Sequence, residues 1–195
     1  MLAQLGAGVR RTAGPVLATS VLRNDDFTRF SGRAPVGWKL TNATAARQPI
    51  QVDGATRYAV KLTEVAPTSA SVSQALNMSR VRGRWVTVAV RLFVPDGGAS
   101  VGRVGITDNL TDVSQSVQQG DGPRGMDYWE IVSRKIDPKA TTASIVIYVN
   151  SDRNQQNEAA RTITVKQVIA VLGPVAPLGS GQTVPAGSPR EPAEE

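Results

Sequence analysis

Residues 84–94 read RWVTVAVRLFV. The even positions Val86, Val88, Val90, Leu92 and Val94 are all aliphatic, and the odd positions are Trp85, Thr87, Ala89, Arg91 and Phe93. Successive side chains of a strand point to opposite faces. This spacing therefore predicts one strand with an aliphatic face toward a core and an aromatic, charged face turned away. Its β-branched residues suit a pleated surface. Pro95-Asp96-Gly97-Gly98 ends the strand in a turn. Val101–Thr107 is expected to return beside it as the hairpin partner.

The same period extends outward along the chain. Tyr58, Val60 and Leu62 fall on one face of Tyr58–Thr63, as do Val72 and Leu76 within Ser71–Leu76. Tyr128–Val132, Ala143–Val149 and Arg161–Leu172 complete the series, and residues 108–125 form a long polar connection. No window has convincing helical periodicity; at most a turn of helix lies near Leu2–Val9. Eight to ten strands without crossover helices indicate an all-β fold, an antiparallel jelly-roll β-sandwich. Val86, Val88, Val90, Leu92, Ile145, Ile147, Ile163 and Val165 are the expected core. In the closing strand Val168, Ala170 and Leu172 fall on the opposite face from Val165 unless a bulge intervenes.

Composition narrows the chemistry. The chain has 195 residues, 41% of them hydrophobic, with no Cys and no His. That removes thiol nucleophiles, a Ser-His-Asp triad and thiolate or imidazole zinc sites. Lys+Arg is 22 against 16 Asp+Glu, a formal charge of +6. Arg80, Arg82 and Arg84 alternate near a loop, but no nucleic-acid motif accompanies them, so nucleic acid is not expected as a partner. Arg10 and Arg11 interrupt the apolar start, so no signal peptide is read, and no stretch is long and apolar enough for a membrane span. The expectation is synthesis and assembly in a cytoplasm.

Three zones follow. Residues 1–23 form an N-terminal arm, 24–172 the sandwich, and 173–195 a Pro/Gly-rich tail ending in acidic residues. The apolar residues of the arms, such as Leu2, Leu5, Val9 and Leu178, are spaced as anchors for a partner surface rather than as a core. The arms are expected to dock on neighbouring subunits.

Within this frame Asn24-Asp25-Asp26-Phe27, followed by Pro35-Val36-Gly37-Trp38, resembles the opening of carbohydrate-binding-module-like jelly rolls. Tyr58–Leu62, Val72-Ser73-Gln74, Arg82–Val88, Asp127-Tyr128-Trp129-Glu130 and Thr162–Gly173 follow in that family's order. The resemblance covers roughly residues 20–173. Such domains occur beside polysaccharide-degrading enzymes, and also in tail fibres, spikes and decoration proteins of bacteriophages and gene-transfer-agent particles. With its arms and without a catalytic domain, this chain looks more like the second setting. What the resemblance implies is a non-enzymatic virion structural protein, a homo-oligomer such as a trimer, bound to capsid or tail proteins. A host surface glycan is a further implied partner. The alternative is a carbohydrate-binding module of a polysaccharide-degrading system. The family often holds a structural calcium, for which Asp25 and Asp26 are the candidates. Lys166 stands where the closing strand commonly has an Asp, and a cation there repels the metal.

Trp85, Arg91 and Phe93 share the outward face of the longest strand and are the candidate carbohydrate-binding residues: an aromatic ring stacks on a pyranose while polar neighbours bond its hydroxyls. The bland alternative is a face covered by an arm, a loop or a neighbouring subunit. Trp38 is expected to plug one end of the sandwich, and Trp129 to face the core. Asp108, Asp112, Asp121, Asp127 and Glu130 lie in or beside the long loop. A hydrolase using two of them is a third class, but acidic loop residues are usually solvated, and no catalytic residue is assigned.

Overall fold

A computed structural model describes residues 20–52, 54–65, 70–96, 100–110, 124–151, 161–174 and 183–185. The elements in order are β1 (Phe30–Ser31), β2 (Ala34–Pro35), β3 (Lys39–Thr41), β4 (Ala43–Val52), β5 (Ala55–Glu64), β6 (Ala70–Ala75) and the short helix α1 (Met78–Val81). Then follow β7 (Trp85–Phe93), β8 (Ser100–Asp108), β9 (Asp127–Lys135), β10 (Ala143–Ser151), β11 (Thr162–Leu172) and β12 (Thr183–Pro185).

The strands form an antiparallel β-sandwich. One sheet has the order β3-β6-β10-β8 and the other β12-β9-β7-β11-β5-β4, with β1-β2 as a separate ribbon. The alternation of β7 places Val86, Val88, Val90 and Leu92 fully inside, with Val94 nearly so. Ile145 and Ile147 of β10 and Ile163 and Val165 of β11 meet them in the same cluster. Each such aliphatic side chain removed from water contributes roughly 1.5–3 kcal/mol. The core between two sheets is thus what period-two patterning dictates.

Two features depart from the expected layout. The segment Val101–Thr107 is not the hairpin partner of β7. It belongs to β8, which pairs with β10 in the opposite sheet, while β7 is flanked by β9 and β11. With both edges of β7 taken, the chain after Val94 crosses between the sheets. Second, β4 pairs with β5 over ten residue pairs although its sequence, ATAARQPIQV, shows no alternation. It is an edge strand and most of its side chains are exposed.

The closing strand carries a bulge. Val165 is opposite Leu92 and Gln167 opposite Arg91, so Lys166 has no partner in the register. The extra residue keeps Ile163, Val165, Val168 and Ala170 all inward and leaves Lys166 and Gln167 together on the outer side.

The motif residues near the N-terminus build one end of the sandwich. Asn24 has φ of 52°, a left-handed conformation that Asn tolerates better than most residues. Its Nδ2 donates to the Arg29 and Val36 carbonyls at 2.8 and 3.1 Å, and its Oδ1 accepts from Arg29 N at 2.9 Å. Trp38 Nε1 donates to the Asn24 carbonyl at 3.2 Å, and the Trp38 and Phe27 rings lie 5.4 Å apart. Trp38 is buried as a plug, as expected. Gln74 grips the backbone of Arg23 from both sides, accepting from its N at 2.7 Å and donating to its carbonyl at 2.8 Å. Val21 N donates to Ala170 O and Leu22 joins the core. Residues 20–23 therefore pack on the sandwich, and residues 183–185 extend the larger sheet along β9. The remaining arm residues, including Leu2, Leu5, Val9 and Leu178, lie outside the described residues.

Candidate functional site

The middle of the outer face of the larger sheet is formed by β9, β7 and β11. Register places Asp127 opposite Phe93 and Phe93 opposite Thr164 in one row. The next row is Trp129, Arg91 and Gln167, with Lys166 bulged beside it; the row after that is Ile131, Ala89 and Ile169. Most of these side chains are half-buried. The result is an apolar strip that ends at two aromatic rings and a charged cluster.

The charged cluster has a defined geometry. Arg91 Nη2 lies 2.9 Å from Asp127 Oδ2, and Lys166 Nζ lies 2.7 Å from Asp127 Oδ1. Lys166 reaches Asp127 by crossing above Phe93, its ammonium 5.4 Å from the ring centroid, within cation–π range. Two cations thus share one carboxylate. Asp127 is the only acidic residue among the described outward positions of β7, β9 and β11.

Of the three candidate residues, Arg91 and Phe93 meet at this cluster. Trp85 shares their face but pairs with Lys135 at the far end of β7. Eight residues separate it from Phe93, roughly 26 Å along a strand. It is 42% exposed.

The residue that sequence reasoning missed is Trp129. It was expected in the core, but Tyr128, Glu130 and Val132 are the inward residues of β9, so Trp129 faces outward, directly across from Arg91. Two adjacent aromatics cannot both face inward on a regular strand. The neighbouring residues do not break the tie, since Ile131 shares the parity of Trp129 and Val132 that of Tyr128.

The carboxylates expected in solvent have structural partners instead. Asp108 is buried and accepts from Leu110 N and Asp137 N, with Arg134 3.5 Å away. Glu130 is 2% exposed and accepts from Val104 N at 3.2 Å. Burial pushes its carboxyl from the ordinary value of 4.5 up to about 8, against the lowering effect of the Val104 hydrogen bond and the charge of Arg103. Asp112 and Asp121 lie outside the described residues.

Asp25 and Asp26, the calcium candidates, lie in the turn that follows Asn24. Asp26 Oδ1 accepts from Thr28 N and Oγ1, and the Lys166 ammonium is bound to Asp127 on the outer face. Among the described residues no group of three or more acidic side chains is placed to hold a metal. Arg80, Arg82 and Arg84 are all exposed around α1 and the turn after it. No described helix is long and apolar enough to cross a membrane.

No protein-family model and no curated protein matches the sequence. Solved structures do match the fold. A cyclase from Fischerella sp. TAU aligns with a TM-score of 0.59 and 12% identity, over 82% of this chain and 100% of its own. An exo-beta-agarase aligns at 0.53 and 11%, over 83% of this chain and 26% of its own. The enzymatically active domain of bacteriophage CBA120 tailspike protein 4 aligns at 0.50 and 15%, over 78% of this chain and 21% of its own. This chain therefore spans about a quarter or less of the agarase and tailspike chains. Several carbohydrate-binding modules also match, at TM-scores of 0.47 to 0.49. The architecture, two packed antiparallel sheets, is a jelly-roll β-sandwich.

Proposed function

We propose that this jelly-roll domain is a non-catalytic glycan-binding module that uses the outer face of its six-stranded sheet. The observation that carries the reading is the cross-strand pair Trp129–Arg91 beside Phe93. The Trp129 ring on a rigid sheet presents flat apolar surface for a sugar ring, and the adjacent guanidinium supplies donors for hydroxyls. The described carboxylates Asp108, Asp127 and Glu130 are each engaged in structural contacts, which favours binding over hydrolysis. Affinity electrophoresis of the full chain through gels containing a panel of polysaccharides tests the reading. At least one polymer is expected to retard the protein, and Trp129→Ala is expected to abolish the retardation while far-ultraviolet circular dichroism stays unchanged. Equal mobility in every gel would refute it.

A second reading is a fibre, spike or decoration subunit of a phage-like particle, in which glycan binding serves attachment to a host. The likeness of fold to the tailspike domain supports it. On this reading the chain is a homo-oligomer located in the virion, and repeated weak sites on one particle give tight attachment by avidity. Mass spectrometry of purified particles checks it.

A further inference from the structure

We propose that the ligand of the Trp129–Phe93 face is an acidic glycan, whose sugar carboxylate is bound by Arg91 and Lys166. The inference rests on the glycan-binding reading and adds the chemical class of the sugar.

The argument begins with charge balance. Arg91 and Lys166 share the single carboxylate of Asp127, so the cluster keeps one uncompensated positive charge. Lys61 of β5, opposite Thr164 in register, adds a further cation to the same face. The side chains of Arg91 and Lys166 are only 28% and 25% exposed, so their field is screened less than that of a surface lysine. A neutral sugar offers no charge to balance this cluster. A carboxylate does, by accepting charge-assisted bonds from an Arg and a Lys together.

The second part is spacing. Lys166 crosses the ring of Phe93 to reach Asp127, and Arg91 stands between Phe93 and Trp129 on the same sheet face. A pyranose lying on Trp129 thus has its edge beside the cations, where the carboxylate of a uronic acid projects. The bulge adds Gln167 to the face on which Lys166 already stands: without the extra residue, position 167 would point into the core and Val168 outward.

The test uses the full chain in affinity gels containing alginate or polygalacturonate, against gels containing the neutral polymers xylan and agarose. The expected result is retardation by an acidic polymer and weaker retardation by the neutral ones. Lys166→Gln should weaken acidic-polymer binding roughly tenfold or more, with little effect on any residual neutral binding. Lys39→Gln, which removes the same charge from β3 in the other sheet, should leave binding unchanged. If neutral polymers retard the protein equally and Lys166→Gln has no effect, the acidic-sugar inference falls and the glycan-binding reading stands. Equal weakening by Lys39→Gln and Lys166→Gln would show attraction by the overall charge and overturn the inference. Retardation by no polymer at all would overturn both.

Discussion

Glu130 Oε1, on the inward face of β9, accepts a hydrogen bond from the backbone N of Val104 on β8 at 3.2 Å. The two strands belong to different sheets. Arg134 Nη1 makes a parallel connection two residues along β8, donating to the Ile106 carbonyl at 3.0 Å. Tyr128 Oη contacts the Gly102 carbonyl at 3.5 Å. Alternate backbone groups of the β8 edge are thus met by side chains of β9.

The burial of Glu130 makes stability depend on pH. Glu130 titrates near 8 in the fold, against an ordinary value of 4.5. Between those values the folded chain binds a proton that the unfolded chain has lost, so stability falls as pH rises through this window and levels off above it. The total loss is on the order of a few kcal/mol. Urea denaturation at pH 5 and pH 9 is expected to show it, and Glu130→Gln should flatten the dependence.

Asp127→Asn removes the counter-charge shared by Arg91 and Lys166. The cluster is partly exposed, so the expected cost is modest, about 1–2 kcal/mol. Adding Lys166→Gln should recover part of it, because one of two repelling cations is gone. A double-mutant cycle by denaturant titration measures the coupling.

Asn24→Ala should be more damaging. It removes three side-chain hydrogen bonds at a buried turn and places a less tolerant residue at positive φ. A loss of about 2–4 kcal/mol is expected. Thermal melting should show a large drop in midpoint, together with a changed fluorescence of Trp38.

Trp85→Ala separates the ends of the outer face. Trp85 is far from the cluster along β7, so polysaccharide retardation should be unaffected and stability should fall by only about 1 kcal/mol. Loss of binding in this variant would move the site toward Trp85 and Lys135.

The sandwich and its core were legible because a buried sheet face imposes a strict period, as in Val86 to Val94. Arg91 and Phe93 were legible from the same period, read on its other face. Trp129 was not, since its neighbour Tyr128 is equally apolar. The inward position of Val168 depended on a bulge whose existence the alternation allowed but did not place. The edge strand β4 left no pattern, because exposure removes the constraint that writes one. The partnering of β8 with β10 instead of β7 is a long-range choice between two strands with suitable faces, and local residues do not encode it.

The side chains that meet the β8 edge also bear on solubility. An open strand edge is a template on which a second molecule can add a strand, the first step of aggregation. Tyr128, Glu130 and Arg134 occupy that template along β8. The β4 edge of the larger sheet is guarded by other means, since β4 carries Pro49, which cannot donate to an added strand, and the exposed charge of Arg47. In a domain crowded beside copies of itself, neither the β8 edge nor the β4 edge would invite pairing.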